Sequence, residues 1–221
     1  MRPSRFALYS LLPLFTACVW TPKPVDLHSA TRVQGELSQQ DGKLVIRPCT
    51  EQRRFVVEDS ATTNIAREAR ELFADGTPKL FIDARGQYGG GSESTTDGKL
   101  EVQTLYRLQK EGPGCDDPNF KRTIVHASGN EPGWSVVINA QGLLLERPQQ
   151  QPFVVPYVVE SVPGGSSSYS SEANGEKIEL WIAPARCADS MSGTVSNLSA
   201  ELRVDGKLLQ GCAYSGGAST D

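Results

Sequence analysis

Histidine and excess basic charge are both scarce in this chain of 221 residues. The two histidines, His28 and His126, are too few for a site built from several imidazoles. Lysine and arginine together number 22 against 26 aspartates and glutamates, which gives a formal net charge of -4. No basic stripe stands out in the sequence. Nucleic acid is therefore not expected as a partner.

A long apolar run is also missing from the sequence. The N-terminal apolar stretch, residues 6–15, is interrupted by Ser10 and Pro13 and falls short of the roughly 20 residues of a spanning helix. It follows Arg2 and Arg5 and precedes small residues, which is the order of a secretory signal. We therefore predict a signal peptide over residues 1–17 rather than a membrane-spanning helix.

Cys18 comes directly after this predicted signal. The run Leu14-Phe15-Thr16-Ala17-Cys18 resembles the lipobox of bacterial lipoproteins, with Phe15 where leucine is usual. The resemblance implies acyl chains such as palmitate on Cys18, and several chains make a stable anchor. Residues 18–31, with Pro22 and Pro24, would then be a lipidated tether. The expected location is the cell envelope, at the outer membrane and facing the periplasm. An ordinary secretory signal or an uncleaved anchor is the alternative.

The other four cysteines form no CxxC pair and have no histidine spaced for a metal site. An even number in an exported chain predicts disulfides, and four cysteines allow three pairings. Sequential pairing is favoured because each pair then brackets one block of strand-like sequence. The four residues are Cys49, Cys115, Cys187 and Cys212.

Alternating apolar and polar residues predict a mainly β chain with two small domains. In the first domain, residues 32–115, the pattern gives three strands, a helix over residues 60–74 capped by Ser60, and two more strands. That is the element order of an OB-like barrel. Residues 111–119, rich in glycine and proline, mark the boundary.

The second domain, residues 120–215, reads as an antiparallel β barrel or sheet without a helix. We expect a single strand over residues 153–162. The serine- and glycine-rich run 164–175 is predicted to be an exposed, mobile loop.

Three phrases of the second domain carry a resemblance. They are Gly129-Asn130-Glu131-Pro132-Gly133-Trp134, Cys187-Ala188-Asp189-Ser190-Met191-Ser192-Gly193 and Gly211-Cys212-Ala213. Over roughly residues 123–214 the chain is similar to a family of uncharacterised Gram-negative envelope lipoproteins. The resemblance implies a periplasmic lipoprotein of unassigned activity and supports pairing of the two cysteines in these phrases.

The candidate binding residues are Glu131, Trp134, Asp189, Ser190 and Ser192. One interpretation makes Glu131 and Trp134 a recognition corner for a sugar or a peptide, and makes the serines partner-contacting hydroxyls. The other interpretation is structural, with Trp134 packed inward and Asp189 holding a hydrogen-bonded turn.

Catalysis is not the leading expectation. A serine nucleophile needs a base, and neither a GxSxG elbow nor an SxxK motif is present. No catalytic residue, cofactor or metal is therefore assigned. We expect a non-catalytic module that binds an envelope protein or glycan, or that serves envelope homeostasis. The alternative is a serine-dependent envelope hydrolase using Ser190 or Ser192, with His126 and Glu131 completing the site.

Overall fold

The computed structural model describes residues 30–60, 63–91, 96–173 and 175–219. The predicted signal and Cys18 lie outside the described residues, and so does the tether apart from Ala30 and Thr31. Within the described part of the chain, no helix is both long and apolar enough to cross a membrane. The described residues are mainly β-strands, as the sequence predicts.

The first half of the chain forms five strands and one helix. They are β1 (Thr31–Gln40), β2 (Lys43–Pro48), β3 (Phe55–Asp59), α1 (Ile65–Phe73), β4 (Leu80–Gly89) and β5 (Gly98–Gln109). The strands pair in the order β3-β2-β1-β4-β5, and β3 returns to pair with β5 in parallel. The sheet therefore closes on itself with a helix between β3 and β4, which confirms the OB-like prediction.

Apolar residues on alternate positions of these strands fill the first barrel. Leu37, Ile46, Ile82, Leu100 and Leu108 are each completely buried. Helix α1 covers part of this core with residues at helical spacing, Ile65, Ala69 and Leu72.

The start of α1 differs from the prediction. The N-cap is Asn64 rather than Ser60, and its side chain makes no capping hydrogen bond. Instead, the Asp59 carboxylate accepts a hydrogen bond from the backbone N–H of Ala66 at 3.2 Å. A carboxylate at this end satisfies a free N–H and interacts favourably with the helix dipole.

The second half forms nine antiparallel strands. They are β6 (Thr123–Asn130), β7 (Gly133–Asn139), β8 (Gly142–Glu146), β9 (Phe153–Val155), β10 (Val158–Val162), β11 (Ser166–Ser171), β12 (Ile178–Ala188), β13 (Val195–Val204) and β14 (Lys207–Ser215). Each strand pairs with the next, except that no pairing joins β9 to β10 in the described structure, and β14 also pairs with β6. The strand order is therefore β10-β11-β12-β13-β14-β6-β7-β8-β9, and Pro156 and Tyr157 connect β9 to β10 along the chain. The core of this half includes Trp134, Ile138, Leu145 and Leu180.

Two features of this region correct the sequence prediction. Residues 153–162 are not one strand, because β9 ends before Pro156, whose backbone has no N–H to donate. The run 164–175 contains β11, which pairs with β10 and β12, so its prediction as a loop was wrong. Five of its six residues are serine, which gives no apolar alternation, and the strand depends on neighbours on both sides.

The two halves are joined as one continuous sheet. Leu108 and Arg107 of β5 pair with Val195 and Ser196 of β13, and Val195 packs in the core of the first barrel. Beside this pairing the Arg186 guanidinium makes two hydrogen bonds, of 2.7 and 2.6 Å, with the Glu68 carboxylate of α1. The domain limits 32–115 and 120–215 stay predictions, because core packing crosses between the two ranges.

Both predicted disulfides are present with the sequential pairing. Cys49 is bonded to Cys115, with Cα atoms 5.4 Å apart, and Cys187 is bonded to Cys212, with Cα atoms 5.5 Å apart. The first bond ties the segment after β2 to a short 3-10 turn, Gly114–Asp116, in the predicted boundary. The second links β12 to β14 across β13.

Candidate functional site

The three phrases singled out in the sequence meet at one place in the second half of the chain. The side-chain amide of Asn130, in the first phrase, donates a 2.6 Å hydrogen bond to the Asp189 carboxylate of the second. The same amide lies 3.5 Å from the Ser190 hydroxyl. The disulfide between Cys187 and Cys212 joins the second phrase to the third. Residues far apart in the chain thus build one local structure.

Trp134 packs beneath this local structure, and the residue is only 4% exposed. Its indole ring lies against Gly129 and Gly211, where an added Cβ would come within 2.4 and 2.8 Å of ring atoms. Only glycine leaves room for the ring at these two positions. The ring therefore packs inward, and Trp134 offers no face to a ligand, contrary to its assignment as a binding residue.

Asp189 organises the loop between β12 and β13, residues 189–194, which we name the Asp189 turn. One of its carboxylate oxygens accepts hydrogen bonds from the backbone N–H groups of Met191 and Ser192, at 3.1 and 2.7 Å. The Ser192 hydroxyl donates to the same oxygen at 2.8 Å and accepts from the Thr194 N–H at 3.2 Å. Asp189 and Ser192 thus serve the turn itself, as the structural interpretation predicts.

The protonation of Asp189 supports this role. Burial raises the pKa of Asp189, but the bonds from Ser192, Asn130 and Met191 outweigh burial and leave the pKa below its ordinary value. The carboxylate therefore stays ionised at neutral pH and accepts the bonds that hold the turn and link it to Asn130.

Three side chains of the site face solvent. Ser190 is exposed, and Met191 at the tip of the Asp189 turn is 76% exposed, the largest exposed fraction among the big apolar side chains described. Glu131 is also exposed, in the turn between β6 and β7 that contains the cis Glu131–Pro132 bond.

A cavity of about 530 Å³ lies beside the Asp189 turn. We name it the motif cavity, because residues of all three phrases line it. They include Gly129, Asn130, Cys187, Asp189, Gly211 and Cys212. Its described lining also has a second carboxylate, Glu201, and contains no lysine or arginine. The cavity is therefore polar and acidic in character.

His126 does not join the serines of the Asp189 turn. One of its ring nitrogens lies 2.7 Å from the Tyr214 hydroxyl and the other lies 3.1 Å from the Ser135 hydroxyl. Burial, reinforced by the positive charge of Arg107, lowers the pKa of His126 from 6.5 to about 4. Both nitrogens are thus engaged elsewhere, and the constellation of Ser190, His126 and Glu131 has no supporting contact in the structure.

Sequence reasoning missed the partners of His126. Burial raises the pKa of Tyr214 despite the opposing charge of Arg107, so the phenol stays protonated. The Arg107 guanidinium is sandwiched between two rings, 3.8 Å from the centre of Tyr214 and 4.9 Å from that of Phe81. In the sequence, Arg107 is one more charge on the polar positions of a strand, and no local signal separates it from a solvated residue.

Acidification is expected to destabilise the protein through His126. Since the unfolded histidine titrates near 6.5 and the folded one near 4, the unfolded state binds its proton first. Neutral His126 therefore contributes fully to the free energy of unfolding above pH 6.5. This contribution, about 3 kcal/mol in total, is lost as the pH falls toward 4. Urea unfolding of the wild type and His126→Gln at pH 7 and pH 5 measures the loss. The wild type should lose more stability than the variant, and equal losses would contradict the assignment.

The described residues contain no group of three or more histidine, cysteine, aspartate or glutamate side chains placed to hold a metal ion. Fold and site together define a disulfide-bonded, mainly β protein with a closed five-stranded barrel, a further set of antiparallel strands and the hydrogen-bonded Asp189 turn. Comparisons of the chain with models of protein families, with curated proteins and with solved structures found no match.

Proposed function

We propose that this chain is a lipid-anchored, periplasm-facing protein of the bacterial envelope that binds a partner without catalysis. Its contact surface is the Asp189 turn with the adjoining motif cavity, and its partner is another envelope protein. The observation that carries the proposal is Met191, an apolar side chain that is 76% exposed on a turn whose backbone is fixed by Asp189.

An exposed apolar side chain on a fixed backbone turn suits protein binding for two reasons. Burying the side chain against a partner removes apolar surface from water, and the backbone of the turn has little conformational entropy left to lose. The disulfide at Cys187 and the bond from Asn130 to Asp189 hold the turn from both sides. Such preorganised anchors carry much of the affinity in protein interfaces.

A protein partner is favoured because the side chain that the Asp189 turn exposes is the apolar Met191. The Trp134 ring, which the sugar-or-peptide interpretation used as its contact face, is buried. The carboxylates of Asp189 and Glu201 border the motif cavity without a described lysine or arginine in the lining. We therefore expect the partner to present a lysine or arginine beside an apolar pocket for Met191.

The function is tested by affinity capture from envelope extract with a soluble form that starts at Val19. Met191→Glu should reduce recovery of the specific partner at least about tenfold, because it places a charge in an apolar contact. Leu208→Glu is the matched control, since Leu208 is an exposed apolar residue, at 46%, in β14 outside the motif cavity. Equal recovery by wild type, Met191→Glu and Leu208→Glu would count against the proposed surface.

The anchor rests on the resemblance around Cys18 and has its own test. Metabolic labelling with a palmitate analogue should label the wild-type protein and not Cys18→Ala. Cys18→Ala should also move from the membrane fraction to the soluble periplasmic fraction. Equal labelling of the two proteins would remove the lipid anchor from the proposal while leaving the binding surface untouched.

A further inference from the structure

A second cavity, of about 780 Å³, lies on the outward face of the strands of the second half. We name it the His126 cavity. It is larger than the motif cavity and has none of the three phrases' residues in its described lining. The segment that connects the two halves, around residues 113–122, forms one wall, and strands β6, β7 and β8 form the floor. Its volume falls in the usual range for small-molecule sites.

The floor combines apolar side chains with the rings of a histidine and a tyrosine. Strand pairing places Tyr214 opposite His126, His126 opposite Val137, and Val137 opposite Leu144. Directly opposed residues share one face of a sheet, so these side chains form a continuous row across four strands. The intervening residues, among them Val136 and Leu143, point into the core and are fully buried. Val137 and Leu144 are therefore apolar side chains on the outward face, beside the hydrogen-bonded rings of His126 and Tyr214.

Among the described residues, the rim carries a small excess of positive charge. Lys121 and Arg122 both line the cavity, and the one carboxylate in its described lining is Asp117. Arg122 donates a 2.8 Å hydrogen bond to the Asn119 side chain, which holds the guanidinium in place. His126 adds no charge at neutral pH, because burial lowers its pKa to about 4. An anionic group is favoured at this rim, next to an apolar floor.

We propose that the His126 cavity binds a single-chain amphiphile with an anionic head, such as a fatty acid. The acyl chain lies along the row from Tyr214 to Leu144, and the head contacts Lys121 and Arg122. This site is separate from the Asp189 turn and does not depend on the protein-binding function proposed for it.

The test is a calorimetric titration of the soluble form from Val19 with decanoate below its micelle concentration. Saturable binding of decanoate is expected, with decyltrimethylammonium, which has the same chain and the opposite charge, at least about tenfold weaker. The double variant Lys121→Gln/Arg122→Gln should weaken decanoate binding by a similar factor. Arg203→Gln/Lys207→Gln, two exposed cations outside the cavity lining, is the control and should bind as wild type does.

Several outcomes would overturn the proposal. Equal affinity for the two head groups would show surfactant adsorption only, and unchanged binding by the Lys121 and Arg122 variant would place the anion elsewhere. Absence of saturable binding to the wild type would also reject it. Thermal melts check that each variant is folded, which is expected because the substituted side chains are at the surface. Met191→Glu should bind decanoate normally, so failure here and failure of the proposed function are distinguishable.

Discussion

Arg32→Ala is expected to lower the free energy of unfolding by about 3 to 5 kcal/mol. The Arg32 guanidinium forms two hydrogen bonds to the Asp83 carboxylate, of 2.9 and 2.8 Å, and Asp83 is completely buried. Without Arg32, the buried Asp83 carboxylate would keep the hydrogen bond from the Gln34 side-chain amide, at 3.0 Å. Arg32 also donates to the backbone carbonyls of Ser215 and Gly216, which ties β1 to the end of β14.

Urea unfolding at pH 7 with the disulfides intact measures this effect. Arg53→Ala is the control, because Arg53 pairs with Glu51 at the surface with 65% of its side chain exposed. Exposed pairs contribute about 1 kcal/mol or less. An Arg32→Ala loss as small as that of Arg53→Ala would show that Asp83 finds other compensation and that Arg32 does not join the two halves.

Gly211→Ala is expected to destabilise the protein by about 3 kcal/mol or more. An added Cβ would lie 2.0 Å from the carbonyl oxygen of Ser128 on the neighbouring strand and 2.8 Å from the Trp134 ring. Neither contact is relieved by rotating a flexible side chain, so β14 and β6 would have to separate. Their separation would also disturb the disulfide at Cys212 and the turns above it.

Thermal and urea unfolding of Gly211→Ala and Gly90→Ala provide the comparison. Gly90 has nothing within 4 Å of an added Cβ, so its replacement should change stability by less than about 0.5 kcal/mol. Near-equal stabilities of the two variants would show that Trp134 and β6 shift freely. The close packing proposed for the base of the candidate site would then be wrong.

Local patterns were sufficient to predict much of the first barrel. Strand alternation, the apolar spacing of α1 and the even cysteine set each depend on nearby residues or simple counting, and each led to the observed structure. The prediction was wrong where neighbours outweigh local preference. The serine-rich β11 gains its ladder from β10 and β12, and Asp59, rather than Ser60, stabilises the start of α1.

The sequence identified the segments that form the candidate site but not how those segments contact one another. Turn-forming residues around Asn130 and Asp189 indicated the two loops, yet their hydrogen bond joins residues 59 positions apart. The contact between His126 and Tyr214 spans 88 positions and depends on the register of β6 with β14. Sequence patterns do not determine such registers between distant strands, so the His126 cavity was not anticipated.

Site-specific photocrosslinking in living cells tests the central claim most directly. A photoreactive amino acid replaces Met191 in one protein and Leu208 in another, both in the otherwise wild-type chain. The proposed function predicts one discrete crosslinked protein from position 191 and no matching product from position 208. No crosslink from position 191, or the same products from both positions, would contradict the claim that the Asp189 turn is the binding surface.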